Sequence, residues 1–412
     1  MRARKGQEPE DISSLASALG FVDLDKSDVS NVKDFLPTFI PKVDALLGGG
    51  IPLSNMSEVF APEQVGKSTF MLYLTKVATA LGVYVLWVDV EGTTGSARMN
   101  QLDIHGDNIK IFNPASLGVG HDLVIEDIAR VIDKFLTAYN ENPEVFNKQP
   151  AIIIWDSIGA SVSEAEDKLE YGKEGQRGRN AKAITDLVKK VTPKLSKSNV
   201  ALIAINQVRA NQNMRSPYDK KWIRPGAVAL DHWERLRLEL RKSTQIKGIY
   251  GEGKDTYAGH ILRILTDKSK DGTPHHEASV GMLSNYQVGV DPDIVLNGVD
   301  YAYALYLNGV DLGLITTKGS YKLFTTQSGT VIHKYERDML CDLKQDKKLL
   351  TDLFTQCMLK TFPKSYAPIA NQTIDVSKWP YFTKALADFY KKNMNVGKDK
   401  AVSSAAESTN KS

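Results

Sequence analysis

Residues 57–81 read SEVFAPEQVGKSTFMLYLTKVATAL, and the reading of this stretch decides the fold. SEVF (57–60) is a short run of strand type, APEQVGKST (61–69) is a loop closing on Gly-Lys-Ser, and the residues from Ser68 onward are patterned as a helix. Strand, loop and helix in that order are the context in which G-x-x-x-x-G-K-[ST] holds phosphates, because loop amides and the helix N-terminus face the anion. Lys67 would reach the β- and γ-phosphates, and the Ser68 hydroxyl would bind Mg²⁺. Ala61 stands where the pattern has its first glycine, a departure expected to alter the loop's backbone freedom and nucleotide turnover; Gly66 is retained. The bland alternative is a Gly-Lys-Ser turn of no significance, and the flanking elements weigh against it.

Downstream, apolar runs alternate with helical patterns. YVLWVDV (84–90), AIIIWDS (151–157) and VALIAIN (200–206) are strand candidates. Residues 122–139 repeat apolar side chains at Val124, Ile128, Val131, Phe135 and Tyr139, and residues 179–198 make another helix, expected to kink or break at Pro193. Strands alternating with helices indicate parallel βαβ units. Beyond Gly226 the pattern changes. ERLRLELRK (234–242) alternates strictly, and HILRIL (260–265) reads as its partner, so antiparallel strands should extend a parallel core. From about residue 300 the chain reads as a smaller mixed α+β region. The fold class expected is therefore α/β.

The bulk composition narrows the function. An apolar content of 42% and a charged content of 25% are those of an ordinary soluble globular protein, and a net charge of +3 means that any basic partner surface is local. Cys341 and Cys357 have neither metal-site nor disulfide spacing. The N-terminus has no apolar leader core and no apolar run is long enough to span a membrane, so a reducing, cytoplasmic setting is expected.

Three further features carry chemistry. Asp156, at the carboxyl end of IIIWD, fits the Mg²⁺-binding acid of P-loop ATPases, although alone it would pass for a strand-end turn. In VDVEG, Asp89 and Glu91 lie on the edge where the phosphates should sit, and a carboxylate there can accept a proton from an attacking water. Strand alternation puts both on one face, so position does not choose between them. Third, VALIAIN ends at Gln207 and passes into a long loop holding Arg209, Arg215, Lys220, Lys221 and Arg224 beside Tyr218 and Trp222. Composition alone favours a solvated basic loop. A single-stranded nucleic acid, held by charge neutralisation and base stacking, is the other reading of its five cations and two aromatic rings.

Six blocks now stand in order and in similar spacing: FIPKVDALLGGGIPLSNMSEVFAPEQVGKST, VLWVDVEG, IIIWDSIGA, SKSNVALIAINQVR, RPGAVAL and DKSK. Between about residues 35 and 325 the chain resembles a RecA-family recombinase of the bacterial and bacteriophage type. The resemblance implies a RecA-like ATPase core with ATP and Mg²⁺ as cofactors. Ala61, Pro62, Glu63, Gln64, Val65, Gly66, Lys67, Ser68 and Thr69 would cradle the nucleotide. Glu91 would be the general base, Ser68 and Asp156 the Mg²⁺ residues, and Gln207 the γ-phosphate sensor. Lys268 and Lys270 match a K-x-K element that reaches the ATP of the neighbouring subunit. A first DNA-binding loop would be LEYGKEGQRGRN (169–180) with Lys173, Arg177 and Arg179; the second would be the basic loop with Arg209, Arg215, Lys220, Lys221, Trp222 and Arg224.

The function so implied is a DNA-dependent ATPase that forms a helical filament on single-stranded DNA and exchanges strands with homologous duplex. Single-strand-binding and loader proteins would be partners, in a bacterial or phage-infected cell. The expected division is an N-terminal segment for subunit contact (1–34), the ATPase core (35–285), a C-terminal α+β domain (286–395) and a disordered tail (396–412). Two rivals are a ring-forming RecA-fold helicase or motor, and a non-catalytic ATP-gated DNA-binding mediator. The tail is basic rather than acidic, so tail autoinhibition is not carried over, and His232–Trp233 replaces apolar aromatic residues of the family.

Overall fold

The computed structural model describes residues 32, 34–102, 104–118, 122–168, 178–216, 222–247, 257–283, 298–364, 366, 369 and 373–393. The expected N-terminal segment, apart from residues 32 and 34, and the expected tail lie outside the described residues. A nine-stranded sheet forms the centre. In chain order its strands are β1 (Met56–Ala61), β2 (Tyr84–Asp89), β3 (Ile109–Phe112), β4 (Ala151–Asp156), β5 (Val200–Gln207), β6 (Glu234–Lys247), β7 (Tyr257–Ser269), β8 (Glu277–Leu283) and β9 (Val299–Asp300). They lie side by side as β9-β8-β7-β6-β1-β5-β4-β2-β3. From β6 to β3 every pairing is parallel, and β7, β8 and β9 extend the sheet antiparallel to β6 and to one another. This is the mixed α/β sheet that the patterns at 234–242 and 260–265 indicate.

The central strands are covered on both faces, which is why they read as unbroken apolar runs. All of β4 is buried; Ile152 and Ile154 enter one core while Ile153 and Trp155 enter the other. Helix α1 (Lys67–Ala80) fills the first face with Phe70, Met71, Leu74 and Val77. Helices α2 (Ile125–Glu141) and α3 (Arg179–Leu195) fill the second. The buried stripe of α2 is Ile125, Ile128, Ile132, Leu136 and Tyr139, with Val131 and Phe135 only partly covered at its margin. Helix α3 is not broken at Pro193 but runs on to Leu195. The proline sits in the last turn, where its missing N–H removes one hydrogen bond, and the Ser196 amide still donates to the Thr192 carbonyl at 2.9 Å.

The C-terminal elements are α5 (Tyr301–Asp311), a small antiparallel sheet of β10 (Ile315–Lys318), β11 (Tyr321–Thr325) and β12 (Val331–Tyr335), and helices α6 (Glu336–Gln345) and α7 (Lys347–Thr361). Helix α5 seats directly on β8 because Gly281 has no side chain: a Cβ there would stand 2.1 Å from the Tyr303 ring. These elements share one core with α1 and with apolar residues of 36–47. The Phe39 ring stacks on Trp379 at 4.8 Å, and the Tyr366 hydroxyl donates to Asp44 at 3.2 Å. Among the described residues no helix is long and apolar enough to cross a membrane.

Candidate functional site

Parallel strands deliver their carboxyl ends to one edge, and the ends of β1, β5, β4 and β2 are Ala61, Gln207, Asp156 and Asp89. Ala61 pairs directly with Gln207, and Asp156 with Asp89. The loop Pro62–Gly66 leaves β1 and enters α1, a 14-residue helix whose N-terminus faces this edge. Its left-handed turns fall at Gln64 (φ 57°) and Gly66 (φ 112°). Ala61 is instead the last, fully buried residue of β1, with ordinary strand backbone. The expectation that alanine alters the loop's backbone freedom is therefore corrected, since this position needs no glycine conformation. At Gly66 the positive φ is what favours glycine; a Cβ there would also come within 2.5 Å of the Met282 methyl, the movable end of a flexible side chain.

The Lys67 ammonium is buried and donates to the carbonyls of Ala61 (3.0 Å) and Pro62 (2.7 Å). Burial lowers its pKa, and Asp156, Glu63 and Glu91 pull it back up. Asp156 is pushed up to about 6, first by burial and then by the charges of Asp89 and Glu91, while its hydrogen bond with Ser68 and the nearby Lys67 oppose the rise. The two acids of VDVEG, which the sequence leaves equivalent, differ here. Asp89 is buried and accepts the Thr94 amide at 2.6 Å; Glu91 is exposed and accepts the Ser157 hydroxyl at 3.5 Å.

These groups fit a divalent cation. Ser68 and Asp156 are already in contact, Asp89 Oδ1 is buried without a donor among the described residues, and three carboxylates crowd one edge. Among the described residues no group of three or more His, Cys, Asp or Glu could hold a metal unaided. A cation here would need phosphate oxygens as ligands, which is how Mg²⁺ is usually held. Beside the loop a cavity is lined by Gln64, Gly66, Thr69, Arg98, His260 and Met282. His260 holds the loop itself, its Nε2 standing 3.1 Å from the Val65 carbonyl. Arg98, His260 and Met282 escaped the sequence reading, because no local motif announces residues that arrive from other elements.

The basic loop is a hairpin at its base. Arg209–Ala210 pairs antiparallel with Trp222–Ile223, directly after β5. Arg209 and Arg215 are exposed. Trp222 is half-buried and donates its indole N–H to Glu239 at 3.1 Å. Arg224 differs from its neighbours: 7% exposed, it forms ion pairs with Glu58 and Asp231 and lies over the Phe60 ring. A free phosphate contact is thereby replaced by an internal anchor. Gly159 explains how the turn after β4 passes Gln207, since a Cβ there would stand 3.0 Å from Gln207 Cβ. Arg179 opens α3 and donates to the Ala165 carbonyl at 2.6 Å. Lys173, Arg177, Lys220 and Lys221 lie outside the described residues.

Lys268 and Lys270 are not brought to this edge. Lys268 is level with Arg237 and so with Glu58, and Ser269 is level with Leu236 and Ser57, so the chain leaves β7 toward the opposite edge of the sheet. Lys268 donates to the Asp231 carbonyl at 2.6 Å, and Lys270 is exposed.

Comparison with known proteins gives a consistent picture. The model of the RecA N-terminal domain matches residues 20–291. The chain is similar to Protein RecA of Thermotoga neapolitana, 26% identical over 297 residues, covering 72% of this chain and 74% of that protein. It is similar to Protein RecA of Thermus aquaticus at 29% identity over 291 residues, 70% of this chain and 75% of the relative. Protein RecA of Nitratidesulfovibrio vulgaris is 26% identical over 303 residues, 73% of this chain and 75% of its own length.

Proposed function

The chain belongs to the RecA family of ATP-dependent recombinases, and from that premise we propose that it is a DNA-dependent ATPase assembling as a helical filament on single-stranded DNA and exchanging strands with homologous duplex. The observation that carries this reading is the register of β5 on β1: Ala61 beside Gln207, with the hairpin base of the basic loop starting two residues later at Arg209. A hydrogen bond gained or lost at Gln207 acts on the loop through one intervening residue.

In this reading the amides of residues 62–66 and the α1 N-terminus bind the phosphates of ATP, and Lys67 exchanges its loop carbonyls for phosphate oxygens. Ser68 and Asp156 hold Mg²⁺, which when bound compensates phosphate charge. Glu91, the more exposed acid, accepts the proton of the attacking water, while Asp89 orders the turn through the Thr94 amide. Gln207 donates to the γ-phosphate and so registers its presence. Arg209, Arg215, Trp222 and residues 217–221 hold the strand, with Arg224 as the anchor of the loop. Lys268 and Lys270, facing away from their own P-loop, serve a neighbour's. We assign residues 1–34 to subunit contact, 35–285 to the ATPase core and 286–395 to a C-terminal domain, in a cytoplasmic protein.

A strand-exchange assay with ATP and with a slowly hydrolysed analogue tests this reading. Pairing is expected with both nucleotides and strand release chiefly with ATP, because the γ-phosphate selects the binding form and hydrolysis ends it. Binding of ATP and DNA without any pairing would select the mediator, and closed rings on DNA the motor.

A further inference from the structure

A buried charge cluster, outside the reacting groups, joins the strand that ends in Gln207 to the strand that carries Lys268. Glu58 and Glu234 are both fully buried, and their carboxyls lie within hydrogen-bond reach of each other. Among the described residues Glu234 Oε2 is buried without a hydrogen-bond donor. Burial, and then the Glu58 charge, raise the pKa of Glu234. Arg224 bridges Glu58 and Asp231, and Arg237 bridges Asp231, Glu234 and Asp267. Lys268 donates to the Asp231 carbonyl and stands 3.9 Å from Glu234. At the other end, Asn206 Nδ2 donates to Glu58 at 2.7 Å and to the Pro225 carbonyl at 2.9 Å, while its Oδ1 is buried without a donor among the described residues.

The cluster thus has three attachments. Asn206 is the strand residue before Gln207, so their side chains leave opposite faces of β5 and any shift of the strand tip moves both. Arg224 and Pro225 close the returning side of the basic loop, which leaves β5 after Gln207. Asp231, on the short helix α4 (Ala227–Trp233), meets both arginines through its side chain and Lys268 through its carbonyl. Deleting one member of a buried ion pair is costly, whereas exchanging partners within a connected set leaves no charge bare. The unused oxygens of Asn206 and Glu234 provide such an exchange. Coupling between sites requires an element of this kind, with two arrangements that both sites bias.

We propose that Asn206, Glu58 and Asp231 are positioning residues that carry the nucleotide state of Gln207 to the returning side of the DNA loop and to Lys268 of the same subunit. This rests on the roles given above to Gln207 and Lys268. A subunit with ATP bound would then both grip DNA and set the lysine that serves its neighbour.

The test is single-strand affinity of the full chain with and without a non-hydrolysable ATP analogue, in Asn206→Ala, Asp231→Asn, Glu58→Gln and, as reference, Gln207→Ala. Asp231 has a side chain 34% exposed, so its asparagine variant folds even if Glu58→Gln does not. The nucleotide-dependent gain in DNA affinity should fall about fivefold or more in Asn206→Ala and Asp231→Asn, with nucleotide-free DNA affinity and DNA-free nucleotide affinity changed less than about twofold. By linkage, DNA's enhancement of analogue affinity should fall by the same factor, and Asp231→Glu should restore both. A full gain in these variants, alongside its loss in Gln207→Ala, overturns the role of the cluster and leaves the nucleotide site standing. An equal fall in nucleotide-free affinity also overturns it, since the cluster is then only scaffold. No gain in the wild type, or a full gain in Gln207→Ala, overturns the site reading and this proposal with it.

Discussion

Replacing the basic residues of the hairpin loop should divide them into two kinds. Arg209 and Arg215 are exposed, whereas Arg224 is held by Glu58 and Asp231. If the exposed pair each neutralise one phosphate, Arg209→Ala/Arg215→Ala lowers the slope of log affinity against log salt by about 1.4, twice the single-strand value of about 0.7. The loss of affinity between about 50 and 200 mM salt then shrinks roughly sevenfold. Arg224→Ala should leave that slope unchanged in nucleotide-free protein and act on stability instead. It strands Glu58, which is fully buried, and removing one partner of a buried pair costs about 3–5 kcal/mol. With about 2.1 cal/mol/K of unfolding entropy per residue, that cost lowers Tm by roughly 3–6 °C in a chain of this length. Fluorescence anisotropy across a salt series and thermal unfolding of the same samples measure both quantities. A reduced salt slope at unchanged Tm for Arg224→Ala would refute the division, because the arginine would then be contacting phosphate rather than anchoring the loop.

Glu91→Gln should bind ATP but hydrolyse it about 10²–10⁴-fold more slowly, since an amide cannot take the water's proton, while Asp89→Asn should hydrolyse faster than Glu91→Gln. The reverse order in a steady-state ATPase assay exchanges the two assignments. Ala61→Gly should not raise turnover and should cost about 0.5–1 kcal/mol in strand stability, read by denaturant unfolding, because this position already has ordinary strand backbone. Inactive Lys268→Ala/Lys270→Ala subunits mixed with inactive Glu91→Gln subunits should regain ATPase activity at mixed interfaces; no rescue in confirmed co-assemblies makes these lysines ordinary surface charges. Asp44, fully buried, is pushed up to about 7 by desolvation against the hydrogen bonds it accepts from Thr38 and Tyr366. The folded state then holds a proton that the unfolded chain releases from about pH 4 upward, so this carboxyl's contribution to stability is lost as pH rises toward 7. The Tm of Asp44→Asn should accordingly improve relative to wild type between about pH 4.5 and 7.5, and a constant difference would show that the carboxyl does not titrate in that window.

What could be read from the sequence was whatever is written locally. Gly66, Lys67 and Ser68 follow a strand and start a helix within one short stretch, and the apolar runs ending at Asp156 and Gln207 are buried strands with those residues at their tips. The alternation at Leu236, Leu238 and Leu240 marked β6 as a strand, with all three leucines buried. Pairing at a distance was not written there. Arg224 looks like any loop cation until Glu58, 166 residues away, is set beside it. His260 reaches the P-loop from 195 residues on. The two acids of VDVEG share a strand pattern, but the strand ends at Asp89, and only the turn that follows buries one and exposes the other. Strand β3 is a partly buried run of four residues, too short and too little patterned to announce itself.

The placement of Lys270 at the edge opposite Ala61 bears on how copies of the chain can be counted. If each P-loop is served by the lysines of the next subunit, the joining surfaces are unlike, and the contact is head-to-tail rather than a self-complementary pairing. An open row of such subunits always holds one fewer complete site than it has members. The unserved P-loop lies at one terminus only, so the two ends of the row are chemically distinct. Short rows are then disproportionately idle, and activity per subunit climbs with length toward a plateau set by the interior.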